Sequence, residues 1–196
     1  GRRLGSLTMA QLLVRAPAFD VLRLRIERDD QLRTWRMTAA TALPVTNEIF
    51  IATNGNGVFR VNPTTYTVDR LQAGLLSPAA GGVAVLQGQV CAGSDTRFVA
   101  GRHGIACLRD DLTTFTYFEG PGLSGLPGNV VRRLAMTPRA IWAATDQGAL
   151  RIDRRSGDVR RLTLRDGLPS DDVWALAVSP EGVWIGTSRG LVLAPD

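Results

Sequence analysis

The sequence predicts an all-β fold of the β-propeller class, a ring of four-stranded antiparallel sheets that are called blades. The first observation behind this prediction is an internal repeat: Ile141–Ala149 recurs as Val183–Leu191, with the tryptophan and the glycine of the two segments each 42 residues apart. The second is that each period of 42 to 48 residues contains four short apolar runs separated by Gly, Asn, Asp and Pro. Four strands in a repeat of about 40 to 50 residues are typical of a propeller blade.

The composition is that of a globular domain with a sizeable apolar core, because 44% of the 196 residues are apolar and 21% are charged. The net charge of +5 comes from arginine alone, since the sequence contains no lysine. The arginines are scattered along the chain, which favours a solvated outer surface over a nucleic-acid interface. No apolar run reaches the roughly 18 to 20 residues of a membrane span, and no signal peptide is visible.

Residues 1–36 are the least regular part of the repeat. Val21–Glu27 alternates apolar and charged residues, and Gln31–Trp35 follows a polar turn, so this region predicts a hairpin. We interpret it as a degenerate first blade. A helix over residues 7–15 is the competing interpretation, because that segment is rich in good helix formers.

Four further copies come after this region, which makes about five blades in one domain spanning the whole chain. The predicted blades cover residues 1–36, 37–78, 79–124, 125–166 and 167–196. The last copy is one strand short. We expect the ring to be closed by the N-terminal residues lending that outer strand, by a second chain, or by sequence missing from this one, because an open ring exposes sheet edges.

Each clean copy carries an aromatic residue in a strand and a glycine in the turn after it. The aromatic positions are Phe50, Phe98, Trp142 and Trp184. The turn glycines are Gly57, Gly104, Gly148 and Gly190. We expect the aromatic side chains to lie between neighbouring blades, where each would bury about 150–250 Å². The glycines are expected where a tight turn needs a positive φ.

The segments Asp166–Leu176 and Val183–Leu191 resemble the two-component regulator propeller repeat, whose blade reads Gly-Leu-Pro, a polar pair, Val, a strand, and then Trp-Ile-Gly-Thr and Gly-Leu. The similarity is strong over residues 125–193 and fair in the two copies before them. The resemblance implies a sensory or recognition propeller of a bacterial signalling system, located in the periplasm or outside the cell. It also implies an unknown small-molecule ligand, often a glycan fragment, or a protein partner.

The turns of the aromatic-glycine signature fall on one face of the predicted ring. The polar residues in these turns are Asn54, Asn56, Arg102, His103, Asp146, Gln147, Ser188 and Arg189. We predict that this face holds the ligand-binding site.

Catalysis finds little support in the sequence. His103 is the only histidine and therefore the only general base near neutral pH. No nucleophile, base and orienting residue come together, and the supply of Cys and His is too small for a zinc site. The adjacent carboxylates Asp171 and Asp172 are interpreted as turn chemistry. The sequence thus predicts a protein that is not an enzyme and has no cofactor and no metal.

Cys91 and Cys107 form no metal-binding or redox motif. We expect two reduced, half-buried thiols, although a disulfide is possible.

Three functions stay open at this point. The first is a recognition module that binds a ligand on the turn face. The second is an interaction scaffold that is completed by self-association. The third is a propeller enzyme acting on a glycan, which would depend on His103.

Overall fold

The computed structural model describes residues 36–43, 46–71, 74–97, 102–108, 115–119 and 130–196. These residues form fifteen β-strands, one short 3₁₀ turn at Leu164–Asp166 and no α-helix. The strands pair into four antiparallel sheets, so the predicted all-β fold is confirmed. The hairpin and the competing helix predicted within residues 1–35 lie outside the described residues.

Each sheet is one blade, and its strands succeed one another in the order of the sequence. Blade 1 contains β1 (Met37–Leu43), β2 (Glu48–Thr53), β3 (Val58–Asn62) and β4 (Thr67–Leu71). Blade 2 contains β5 (Ala80–Leu86), β6 (Gln89–Ser94), β7 (Gly104–Leu108) and β8 (Phe115–Glu119). Blade 3 contains β9 (Val131–Met136), β10 (Ala140–Thr145), β11 (Gly148–Asp153) and β12 (Val159–Leu162). Blade 4 has three described strands, β13 (Val173–Ser179), β14 (Gly182–Thr187) and β15 (Gly190–Ala194).

The first strands of successive blades pack against one another, β1 on β5, β5 on β9 and β9 on β13. They are therefore the inner strands, which line the axis of a propeller. In all four of them the pairing with the second strand skips one residue near the start, which is a β-bulge. The bulged residues are Thr38, Gly81, Arg132 and Trp174. The bulge recurs because every blade is a copy of one structural unit.

Within the described residues, three apolar layers lie between neighbouring blades. We call the side of a blade that faces the next blade in the sequence its forward face. The layer between blades 1 and 2 includes Phe50, Val58, Val83 and Leu108. The layer between blades 2 and 3 includes Cys91, Cys107, Ile141 and Leu150. The layer between blades 3 and 4 includes Trp142, Ala149, Val183 and Ile185.

The aromatic positions of the repeat behave differently from one blade to the next. Phe50 and Trp142 are buried in these layers, as predicted, and Trp142 is only 1% exposed. The prediction for Trp184 is wrong, because its side chain is 38% exposed. Trp184 lies on the forward face of blade 4, and no described blade comes after it to cover this side chain.

In blade 2 the position equivalent to these aromatic residues belongs to Cys91. The second strand β6 ends at Ser94, and the third strand β7 starts at Gly104. The connection between them spans residues 95–103, whereas two residues connect β10 to β11. Phe98 falls in this longer connection, outside the described residues, so its 48-residue offset from Phe50 does not place it in the second strand.

The two cysteines are joined by a disulfide, and both are fully buried. The expectation of reduced, half-buried thiols is therefore wrong. Cys91 and Cys107 are direct partners across β6 and β7, with their Cα atoms 4.0 Å apart. This proximity results from strand register, which a sequence separation of 16 residues does not reveal.

The backbone conformation explains why each of these turns contains a glycine, and Gly148 is the clearest case. Its φ is +119°, and a Cβ atom there would lie 2.5 Å from the carbonyl oxygen of Leu162. The hydroxyl of Thr145 donates to the Gly148 carbonyl oxygen at 2.7 Å. The same bond joins Thr53 to Gly57 at 2.8 Å and Thr187 to Gly190 at 2.9 Å, which holds these turns in one conformation.

Candidate recognition site on the loop face

The turns between second and third strands lie on one face of the propeller. Each is tied to the segment that enters the following blade. Asn54 forms a β-bridge with Ala79, and Asp95 forms one with Val130. The amide of Gly148 donates to the carbonyl oxygen of Asp171 at 2.6 Å. We call this side of the molecule, where the turns meet the connections between blades, the loop face.

The structure places all eight residues of the predicted binding site in these turns. Five of them are exposed: Asn54, Arg102, Gln147, Ser188 and Arg189. The other three are half-buried: Asn56, His103 and Asp146. Nothing in their placement tests whether they bind a ligand, so this part of the prediction stays a prediction.

Neighbouring side chains contact several of these turns and hold them in place. Arg70 donates to the backbone oxygen of Asn56 at 2.9 Å, and Arg161 donates to that of Gln147 at 2.8 Å. Both arginines come from a fourth strand and brace the turn of their own blade. The Arg102 guanidinium lies over the ring of Tyr117, 5.5 Å from its centroid. These contacts spread along the face and do not converge on one point.

The four bulged residues lie closer to the axis, and several approach the inner strand of the next blade. The Thr38 hydroxyl donates to the carbonyl oxygen of Ala80. Arg132 Nη1 donates to the carbonyl oxygen of Val173 at 2.8 Å. Val173 holds in blade 4 the position that Ala80 holds in blade 2. Val131 holds the same position in blade 3, and a side chain at Gly81 would collide with its carbonyl oxygen. Of the four bulged residues, only Arg132 and Trp174 therefore place large side chains at this level of the axis.

These two side chains form a compact cluster with Asp172. Arg132 Nη1 lies 2.6 Å from Asp172 Oδ1, and Trp174 Nε1 donates to Asp172 Oδ2 at 2.8 Å. The Arg132 guanidinium carbon stacks over the Trp174 ring, 4.0 Å from its centroid. We call these three residues the Arg132 cluster. Each member contacts the other two, so the cluster is a preorganised unit.

The cluster contains one donor without a partner and one exposed ring. The Arg132 side chain is 12% exposed, and its hydrogen bonds to Thr145, Asp172 and Val173 all leave from Nη1. Its Nε atom is buried without a hydrogen-bond partner. An unsatisfied buried donor carries a desolvation cost of about 1–3 kcal/mol. The Trp174 side chain is 51% exposed, so much of the indole is open to a ligand.

The acidic groups near the axis are held in their charged form. Burial raises the pKa of Asp172, but the hydrogen bonds from Trp174 and Arg132 outweigh it, so the pKa is lowered overall. The pKa of Asp95 is lowered in the same way, since hydrogen bonds from Arg97 and the charges of Arg97 and Arg132 outweigh the effect of burial. Arg97 Nη2 lies 2.8 Å from Asp95 Oδ2. Two ion pairs thus lie near each other on this part of the loop face.

The two adjacent carboxylates have separate roles. Asp171 Oδ1 accepts a hydrogen bond from the Leu164 amide at 2.7 Å, which is the turn chemistry expected from the sequence. Asp172 instead pairs with Arg132, 40 residues earlier in the chain. Within the described residues, no three His, Cys, Asp or Glu side chains come together in a way that could hold a metal ion.

The Arg132 cluster was not predicted from the sequence, although a signal was present. Arg132 and Trp174 are 42 residues apart and thus occupy one position of the repeat. That position holds a small residue, Thr38 or Gly81, in the two earlier blades and a large, polar or aromatic one in the two later blades. Comparing the copies position by position would have singled it out.

Two clefts open elsewhere between blades 3 and 4. One of about 190 Å³ is lined by Arg151, Arg160 and Asp166 and reaches the buried Trp142. The other, of about 390 Å³, lies beside Arg139 and Glu181, at the turns opposite the loop face. Neither includes the Arg132 cluster, which combines an exposed indole with an ion pair.

The fold and its blades define the class of the molecule, which is a β-propeller. The family model of the two component regulator propeller matches residues 167–189, the segment that enters and forms most of blade 4. A search of curated proteins gave no match. No helix in the described part of the chain is long and apolar enough to cross a membrane.

Solved structures share the fold at low sequence identity. One is the extracellular domain assigned to the hybrid two component system BT3049 of B. thetaiotaomicron, with a TM-score of 0.66 and 19% identity over 81% of this chain and 22% of that one. Another is the extracellular domain assigned to the one component system BT4673 of the same organism, with a TM-score of 0.59 and 15% identity over 81% of this chain and 21% of that one. The computationally designed Ika4 protein has a TM-score of 0.60 and 16% identity over 81% of this chain and 90% of its own. The chain therefore spans about a fifth of the length of the two bacterial domains.

Proposed function

We propose that this propeller is a non-enzymatic recognition module of a bacterial sensory system and that it binds a glycan fragment at the Arg132 cluster. The observation that carries the proposal is the exposed ring of Trp174, which stacks against Arg132 and is held by a hydrogen bond to the partly exposed Asp172. The matched repeat and the two bacterial neighbours, which are described as extracellular domains of signalling systems, support the sensory context.

The chemistry of the cluster fits a sugar ring. A pyranose has an apolar face that can lie on an indole, and hydroxyl groups at its edge that exchange hydrogen bonds with charged side chains. Trp174 offers the flat surface, Arg132 the donors and Asp172 the acceptors. The predicted turn residues Gln147 and Ser188 stand on the same face, where a longer glycan would extend over them.

The compartment belongs to the same proposal. The buried Cys91–Cys107 disulfide favours an oxidising environment, such as the periplasm or the cell exterior. This agrees with the location implied by the resemblance and with the description of the two bacterial neighbours as extracellular domains.

The test is a binding measurement on the 196-residue chain with a panel of neutral and uronic-acid oligosaccharides, by calorimetry. Trp174→Leu removes the stacking surface and should weaken binding about tenfold or more, equivalent to roughly 1.4 kcal/mol. Trp184→Leu is the matched control, because it removes another exposed tryptophan that lies outside the cluster. Asp172→Asn should also weaken binding.

Two results would overturn the proposal. One is the absence of binding across the panel; the other is binding that Trp174→Leu and Trp184→Leu weaken equally. The non-enzymatic part is tested separately, by recovering the bound oligosaccharide after long incubation. It should be unchanged in length, and turnover that disappears in His103→Ala would establish the enzyme alternative instead.

A further inference from the structure

Arg133 is an exposed charged residue that borders the Arg132 cluster without belonging to it. It lies on the inner strand β9, directly after the bulged residue Arg132, and pairs with Ala144 on β10. Blade 3 has a described blade on either side, so the exposure of Arg133 is toward the axis of the propeller and not at an end of the array. A cation is therefore presented at the axis, beside the stacked arginine and tryptophan.

Two backbone carbonyl groups hold the Arg133 guanidinium in place. Arg133 Nη1 donates to the carbonyl oxygen of Arg132 at 2.6 Å and to that of Thr38 at 3.3 Å. Thr38 belongs to blade 1, so the side chain connects the inner strands of two blades that are not neighbours. A side chain that is already fixed loses little conformational entropy when it binds a ligand.

These two bonds use one nitrogen of the guanidinium and leave its other edge open. Within the described residues, Arg133 Nε and Nη2 make no hydrogen bond, and no carboxylate forms an ion pair with this side chain. The acidic groups near the axis are engaged elsewhere: Asp172 is paired with Arg132. Asp95 is paired with Arg97. The Nε and Nη2 groups of an arginine form a planar fork that matches the two oxygens of a carboxylate.

The residues around Arg133 at the axis are small. The residue that follows the bulge is Ala39 in blade 1, Gly82 in blade 2 and Ala175 in blade 4. Among the four described blades, Arg133 is thus the one charged residue at this position. Packing requires the glycine, because a Cβ atom at Gly82 would lie 2.9 Å from the Cα atom of Arg133. None of these three neighbours has a side chain long enough to cover the open edge of the guanidinium.

We propose that Arg133 binds the carboxylate of a uronic acid, so that the ligand of the Arg132 cluster is an acidic oligosaccharide. The inference rests on the proposed function, because it assumes that a sugar ring stacks on Trp174. The charge of Arg132 is already paired with Asp172, which leaves Arg133 as the anchor for an anion. Its open edge would donate two charge-assisted hydrogen bonds to the carboxylate.

The experiment is calorimetry on the full 196-residue chain with uronic-acid oligosaccharides, each compared with the same oligosaccharide after chemical reduction of its carboxyl groups to alcohols. The natural chain should bind the acidic form about tenfold more tightly or better, as expected for hydrogen bonds to a charged group. Arg133→Gln should abolish this preference and leave the affinity for the reduced form unchanged. Arg155→Gln is the matched control, because it removes an exposed arginine from the turn between β11 and β12, away from the loop face.

A natural chain that binds both forms equally would overturn this inference and leave the proposed function standing. So would a preference that persists in Arg133→Gln, or a variant that loses affinity for both forms alike, since Arg133 would then only support the blades. A preference that Arg155→Gln removes to the same extent would reduce the effect to overall charge and also overturn it. The absence of binding to either form would overturn both proposals.

Circular dichroism and a thermal melt establish that each variant is folded. Arg133→Lys is the second variant if Arg133→Gln is not folded. It keeps the charge but lacks the planar fork, so most of the preference for the acidic form should be lost. A lysine that retains the full preference would contradict the binding of the carboxylate by the fork.

Discussion

Trp142 and Trp184 occupy the same position of the same repeat, yet one is 1% exposed and the other 38%. Both stand in the second strand of a blade and on its forward face. The two residues differ in their next neighbour along the ring: blade 4 covers Trp142, and no described blade covers Trp184. In an array of stacked repeats, the burial of a side chain depends on the neighbouring unit that covers it and not only on its position in the repeat.

The two tryptophans also differ at the polar end of the side chain. Trp142 Nε1 donates to Asp196 Oδ1 at 3.2 Å, and the Thr137 hydroxyl donates to the same oxygen at 2.9 Å. The residue that satisfies the buried indole is thus contributed by the segment after blade 4. Blade 4 and this segment supply both the apolar cover and the hydrogen-bond acceptor of the preceding blade.

The largest expected effect is on the buried tryptophan. Trp142→Ala should lower the free energy of unfolding by about 3–5 kcal/mol, because it leaves a cavity between two blades. Trp184→Ala should cost about 1 kcal/mol or less, as expected for a partly exposed side chain. Urea unfolding curves at low protein concentration provide the comparison. Equal losses in the two variants would contradict the assignment, and Trp142→Phe serves if Trp142→Ala does not fold.

The next largest effect is expected from removing the disulfide, because Cys91 holds in blade 2 the position that Trp142 holds in blade 3. Replacing Cys91 and Cys107 together by alanine should cost about 2–4 kcal/mol, since the bond closes a loop of 16 residues in the unfolded chain. Thermal melts with and without reductant check this. Reductant should lower the melting temperature of the natural chain and leave the double variant unchanged; a natural chain insensitive to reductant would speak against the bond.

A third prediction exchanges residue size at one position of the repeat. Ala149→Leu should destabilise blade 3 by about 1–3 kcal/mol, because a leucine has no room in a filled interface. The converse change, Leu191→Ala in blade 4, should stay within about 0.5 kcal/mol. Denaturant midpoints of the two variants measure the contrast. A tolerated leucine at position 149 would mean that the layer between blades 3 and 4 is loosely packed.

The smallest expected effect is on the stability of the protein at acidic pH. The pKa of Asp172 is lowered in the folded protein, so its contribution to stability is present above its unfolded pKa of about 4 and is lost as pH falls through the folded value. Asp172→Asn should remove part of the stability that is lost as the pH falls below about 4. Asp69→Asn, an exposed carboxylate on β4, is the control. An acid transition unchanged by Asp172→Asn would show that the ion pair with Arg132 contributes nothing.

The all-β fold and the nature of the blades could be predicted from the repeat, because spacing and turn residues are local signals. Features that depend on neighbours were missed. The exposure of Trp184 depends on which blade comes next, and the Cys91–Cys107 bond depends on strand register. The 48-residue offset between Phe50 and Phe98 did not identify equivalent positions, because the long connection after β6 shifts the alignment of blade 2.

The candidate recognition site also combines features that the sequence predicts with features that it does not. The turn residues were found because each blade presents them in sequence, and the structure keeps them on one face. The Arg132 cluster joins residues from two blades across a β-bulge, and Asp172 comes from the connection between those blades. No local pattern predicts that a bulge will direct an arginine onto the next blade, so this site required the structure.

The most direct test of blade-to-blade packing is acrylamide quenching of tryptophan fluorescence in two variants that keep a single tryptophan, Trp142 or Trp184, with the others replaced by phenylalanine. The Trp142 variant should emit at shorter wavelength and resist quenching, while the Trp184 variant should be quenched several-fold more strongly. Equal quenching of both, or a Trp142 that quenches like an indole in water, would contradict the packing of blade 4 against blade 3.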